Sequence, residues 1–128
     1  MHFGYTILYV RDVAAALEFY ERAFGQKRRF LHESGEYGEL ETGATTLAFA
    51  AHGLAAENLG EAFRAPEAGS ATPFEVCFVT DDVEAGYRQA LDSGAAAVSE
   101  PQTKPWGQDV AYVRDPEGTL VEIASPGA

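Results

Sequence analysis

Residues 5–12, YTILYVRD, and residues 74–82, FEVCFVTDD, decide the fold between them. Five of the first six residues of the earlier stretch are aromatic or β-branched, the composition of a strand. Asp12 is a good N-cap, and the pattern behind it predicts a helix over Val13–Phe24 that Gly25 ends. In that helix Val13, Leu17, Tyr20 or Glu21, and Phe24 recur at three-to-four spacing, so one face packs and the other carries Glu18 and Arg22.

The later stretch repeats this plan. Residues 74–79 read as a strand, Asp81 and Asp82 as the cap, and residues 83–91 as a helix with Tyr87 and Leu91 inward, ending at Gly94. Val10 to Val79 and Gly25 to Gly94 share an offset of 69 residues, with a one-residue shift needed inside the helix. The back halves correspond too. Residues 38–41 and 45–49 match residues 111–113 and 119–123 as strand, turn, strand. Each copy therefore reads βαβββ, and the second turn, Asp115-Pro116-Glu117-Gly118, has the residues of a type I turn, a structural motif.

The expected organisation is a single domain over residues 1–128: an N-terminal module at 3–52, a connector at 53–72 and a C-terminal module at 73–126. The connector, rich in Ala, Gly, Glu and Pro, shows no strand pattern; it reads as a tether or lid with one short helix. The fold class is α+β, two βαβββ modules forming a cupped mixed sheet.

The chain has 128 residues, a hydrophobic fraction of 46%, and eight Phe, six Tyr and one Trp, enough for a packed core. A formal charge of −11 repels nucleic acid and anionic membrane. Cys77 is the one cysteine, and within the run 76–79 it is expected to be a buried, inert thiol. Residues 1–4 lack a basic region followed by an apolar core, and no apolar stretch is long enough to span a membrane, so the expectation is a cytoplasmic protein.

YTILYVRD, FEVCFVTDD and YVRDPEGTLVEI together resemble the two halves of vicinal oxygen chelate proteins, the glyoxalase, bleomycin-resistance and dioxygenase superfamily. The resemblance covers nearly the whole chain, and residues 115–123, DPEGTLVEI, are its most specific part. Metal-dependent members take four His, Gln or Glu ligands, from the first and last strands of each module. Carried onto this chain, the first-strand places are Tyr5 and Phe74 and the last-strand places Ala48 and Glu122. Only Glu122 matches a ligand. A neutral phenol, with a pKa near 10, is a poor donor, and Phe and Ala are none. The resemblance therefore implies no metal and no other cofactor, nearest in character to metal-free bleomycin-resistance-like members. His2, His32 and His52 fall on no motif position.

Strand alternation puts Tyr5, Ile7 and Tyr9 on one face, and the repeat puts Phe74, Val76 and Phe78 on its counterpart, with Ala48 and Glu122 as a small floor and one carboxylate. Trp106 and Gln108 open the strand before the DPEG turn, and the planar Trp106 ring suits either a ligand-stacking wall or packing at a sheet edge or dimer seam. The expected ligand-binding set is Tyr5, Ile7, Tyr9, Ala48, Phe74, Phe78, Trp106, Gln108 and Glu122. The same aromatics could simply fill a closed core. The leading expectation is a metal-free protein binding a flat aromatic or cationic small molecule, such as an antibiotic to be sequestered. The alternatives are a glyoxalase-like lyase or dioxygenase with a metal site remodelled around Glu122, acid–base catalysis by Glu122 with Tyr5, and a regulatory module with a filled cavity. A homodimer is expected from the exposed sheet edges and the resemblance.

Overall fold

The computed structural model describes residues 1–67, 70 and 74–127. The expected end of the connector at Thr72 and the first residue of the second module, Pro73, lie outside the described residues. The chain divides into two compact units, residues 1–21 with 25–67 and residues 22–24 with 68–128.

The first unit holds β1 (Tyr5–Val10), α1 (Val13–Phe24, of which residues 22–24 fall in the second unit), β2 (Lys27–Leu31), β3 (Tyr37–Glu41) and β4 (Thr46–Ala51), then α2 (His52–Leu59) and a 3-10 turn at Gly60–Ala62. The strands form one mixed sheet in the order β1-β4-β3-β2, with β1 and β4 parallel and the other pairs antiparallel. Asp12 accepts from Ala15 N at 3.0 Å, and Gly25 closes α1 at φ 62, a left-handed cap that a side chain would disfavour. The buried face of α1, Val13, Leu17, Phe19 and Tyr20, packs with Leu8, Val10, Leu40 and Phe49. Tyr20 and Phe49 are tilted ring neighbours at 5.0 Å. At Gly38 on β3 an added Cβ would sit 2.6 Å from Leu17 Cδ1, so glycine is what lets the helix approach the sheet.

The second unit repeats the plan with β5 (Val76–Val79), α3 (Val83–Asp92), β6 (Ala96–Thr103), β7 (Asp109–Arg114) and β8 (Leu120–Ala124), in the order β5-β8-β7-β6. Asp82 caps α3 by accepting from Ala85 N at 3.0 Å. Val83, Ala90, Val110, Ala111, Val113, Val121 and Ile123 are buried. The DPEG turn is structural as expected. Gly118 N donates to Asp115 O, and the buried Asp115 carboxylate accepts from the backbone of Glu117 and Thr119 at 2.9 and 2.8 Å. This is the two-module α+β fold read from the sequence.

Candidate functional site

In the first unit, alternation along β1 separates the two faces sharply. Leu8 and Val10 are buried under α1, while Tyr5, Ile7 and Tyr9 keep 53%, 43% and 40% of their surface exposed. The register sets Tyr5 beside Thr46, Ile7 beside Ala48 and Tyr9 beside Ala50, and on the next strand Glu39 beside Ala48 and Tyr37 beside Ala50. The uncovered face is therefore a row of aromatic and aliphatic side chains flanked by small residues and one acid. Tyr9 meets Phe63, which follows the 3-10 turn, edge-on at 5.4 Å.

That acid, Glu39, is only 6% exposed and both its oxygens are engaged. The Tyr37 hydroxyl donates to Oε2 at 2.7 Å and Arg29 Nη1 to Oε1 at 3.2 Å, while Arg29 Nε reaches Glu41 Oε2 at 2.9 Å. Burial, and then the hydrogen bond and charge of Glu39, push the Tyr37 phenol above its usual range. Sequence reasoning passed over Arg29, Tyr37 and Glu39. The available signal was parity within YGELE, where Tyr37, Glu39 and Glu41 alternate with Gly38 and Leu40.

In the second unit the structure corrects the expected face. Glu122 lies beside Cys77 on β5 and Tyr112 on β7, whereas Phe78 lies beside Ile123 and Val76 beside Val121. Ile123 points toward α3, where a Cβ added at Gly86 would stand 3.2 Å from its Cγ2. Val76 and Phe78 thus belong to the α3 side, and the residues sharing the Glu122 face are Glu75, Cys77 and Tyr112. Phe74 precedes the strand with 49% of its surface exposed.

The cause is a one-residue slip in the repeat. The caps Asp12 and Asp82 and the helix starts Val13 and Val83 set an offset of 70 residues, not 69. Val10 is fully buried and Val79 63% exposed, so the two valines used to align the strands face opposite ways. A shift of one residue exchanges every side chain between faces. On the corrected offset Tyr5 corresponds to Glu75 and Ile7 to Cys77, and because Ile7 pairs with Ala48 as Cys77 pairs with Glu122, Ala48 still corresponds to Glu122. The four family ligand places are Tyr5, Ala48, Glu75 and Glu122.

The Tyr112 hydroxyl donates to Glu122 Oε1 at 3.2 Å. Glu75 is raised above the usual carboxylate range, first by burial and then by the charge and hydrogen bond of Glu122. Burial and the charge of Glu122 also push the Tyr112 phenol up to about 12. Cys77 is exposed rather than buried, and its thiol is pushed up to about 12 by desolvation and Glu122. Glu75, Tyr112 and Cys77 are thus each shifted toward their protonated forms by burial and by the Glu122 carboxylate.

A divalent ion needs several converging anionic or imidazole donors. Tyr5 offers a phenol, Ala48 nothing, and Glu75 and Glu122 are two carboxylates of one unit. Among the described residues no group of three or more His, Cys, Asp or Glu is arranged to hold a metal ion. The residues present do not fit the four-ligand metal of the family.

Trp106 and Gln108 lie in the turn joining β6 and β7 rather than opening a strand, since Gly107 N donates to Lys104 O and β7 begins at Asp109. Trp106 is 66% exposed, and its Nε1 donates to Gln108 Oε1 at 2.8 Å. Gln108 Nε2 in turn donates to Ser125 O at 2.7 Å. The pair is brought together and pinned to the end of β8. Among the described residues no helix is long and apolar enough to cross a membrane.

The model of the Glyoxalase/Bleomycin resistance protein/Dioxygenase superfamily matches residues 2–123. The chain is 29% identical over 117 residues to uncharacterized protein YraH of Bacillus subtilis (strain 168), covering 91% of each. A glyoxalase/bleomycin resistance protein/dioxygenase family enzyme from Burkholderia phytofirmans PsJN superposes with a TM-score of 0.80 at 26% identity, over 95% of this chain and 96% of that one. A glyoxalase-related enzyme from Fulvimarina pelagi superposes with a TM-score of 0.84 over 98% of this chain and 88% of that one; at 21% identity that likeness shows the fold.

Proposed function

This chain belongs to the Glyoxalase/Bleomycin resistance protein/Dioxygenase superfamily, and from that premise we propose that it is a metal-free binding protein for a flat, aromatic, cationic small molecule, as in sequestration of an antibiotic. The observation that carries this reading is the row Tyr5, Ile7 and Tyr9, large side chains left 40% to 53% exposed on a strand whose other face buries Leu8 and Val10. Rings displayed in this way offer stacking surface at little entropic cost, and a cation adds attraction to their faces. The net charge of −11 raises the local concentration of cations.

Calorimetric titration with proflavine, a flat aromatic cation, tests this. Saturable binding, weakened about tenfold in Tyr5→Ala and Tyr9→Ala, is expected from the loss of stacking. The absence of saturable binding to the wild-type protein would end the proposal.

A second reading, a metal-dependent lyase or dioxygenase with a remodelled site, draws support from the neighbouring carboxylates Glu75 and Glu122. Its test is metal analysis of protein prepared without chelator, together with thermal shifts on adding Ni, Zn, Fe or Mn. Stoichiometric metal lost in Glu122→Gln supports it, and none in the wild type removes it. The proposed protein is also a cytoplasmic homodimer. The charge-free edge strand β1, in contrast to Lys27, Arg28 and Arg29 on the edge strand β2, favours association. Light scattering should give about twice 13.7 kDa, and a monomer at high concentration would contradict it.

A further inference from the structure

His52, the first residue of α2, leaves β4 one residue beyond Ala51, which is the register partner of Val10. Its ring stands 5.6 Å from Phe63, the same ring that meets Tyr9 edge-on at 5.4 Å. His52 Nε2 is shielded from solvent and has no hydrogen-bond partner. A shielded polar atom without a partner costs stability. Tyr9 lies on the same face as Tyr5 and Ile7, so through Phe63 the His52 ring is one aromatic contact away from that face.

We propose that His52 is a specificity-determining residue that hydrogen-bonds a hydroxyl carried by a planar aromatic ligand, with Phe63 swinging aside to admit it. The inference deepens the ligand-binding reading of the Tyr5–Tyr9 face and rests on it. The ligand's ring takes the place of Phe63 against Tyr9, and its hydroxyl reaches Nε2, donating or accepting according to the imidazole tautomer. Because Nε2 already lacks a partner in the free protein, a ligand hydroxyl that supplies one gains a hydrogen bond that an analogue without it cannot form.

The test compares two flat cations of similar shape in which a hydroxyl is replaced by a methyl: 6-(hydroxymethyl)-N-methylquinolinium and 6-ethyl-N-methylquinolinium, titrated at pH 8. The wild-type protein is expected to prefer the hydroxymethyl compound by about tenfold. His52→Phe, which keeps a ring against Phe63, should bind both alike, and Phe63→Ala should keep the preference. On the intact protein, the His52 ring-nitrogen resonance should move with the hydroxymethyl compound and stay with the ethyl one. If the wild type binds both without preference, or His52→Phe retains the preference, the assignment of His52 is wrong while the ligand-binding reading stands. If neither compound binds, both fall together.

Discussion

The Tyr112 hydroxyl donates to Glu122 Oε1 across 3.2 Å, on the strand face that also carries Cys77. Glu122 is therefore not a solitary acid at the end of a strand. It is the centre of a small group in which Tyr112, Cys77 and Glu75 are each held toward their protonated form.

Cys77 should be unreactive despite its exposure. With its thiol pushed up to about 12, the thiolate is scarce near neutral pH. Labelling by iodoacetamide at pH 8 should be slower than for a free cysteine by about two orders of magnitude. Glu122→Gln, which removes the nearby charge, should speed it. Free-cysteine rates in the wild type would contradict this environment.

Tyr112 makes stability fall in alkali. Its folded pKa lies near 12 against an ordinary value of 10, so between these the folded chain holds a proton that the unfolded chain releases. The contribution is complete below pH 10 and is lost as pH rises to about 12. Tyr112→Phe should flatten that loss in urea melts taken between pH 9 and 12, and an unchanged slope would show that Tyr112 titrates normally.

Gly38→Ala should cost about 1–3 kcal/mol in denaturant unfolding, the penalty for overpacking a filled core. The new methyl would press on Leu17 Cδ1 at 2.6 Å and Val13 Cγ1 at 3.2 Å. A neutral or stabilising outcome would mean that α1 can move away from β3.

Glu39→Ala should destabilise by about 1–3 kcal/mol, since it leaves the Tyr37 hydroxyl and the Arg29 guanidinium without the acceptor they share. In Tyr37→Phe the same substitution should cost less, because the stranded hydroxyl has gone while Arg29 keeps Glu41. Additive effects would show that the Tyr37–Glu39 hydrogen bond carries no coupling.

Much of the fold was legible because α1 and α3 announce themselves by cap and period. Asp12, the Val13–Leu17–Tyr20 spacing and Gly25 located α1 to the residue. β2 and β6 were not legible, since KRRFL opens on three basic residues without apolar alternation and AAVSEPQT contains Pro101 and lies mostly exposed as an edge strand. The site was half legible. β1 could be assigned its faces from alternation alone, but β5 could not. VCFV is apolar at every position, so nothing in its own composition says which side chains meet the helix and which meet Glu122. The caps carried the register that the strand lacked, and reading Asp82 against Asp12 would have placed Glu75 rather than Phe74 beside Glu122.

Whether Tyr5, Ile7 and Tyr9 form a ligand-binding face is decided most directly by titrating proflavine into the wild-type protein, Tyr5→Ala and Tyr9→Ala by calorimetry. Saturable binding by the wild type, weakened about tenfold in each variant, is the expected result. Equal binding by all three proteins, or none by the wild type, would contradict it.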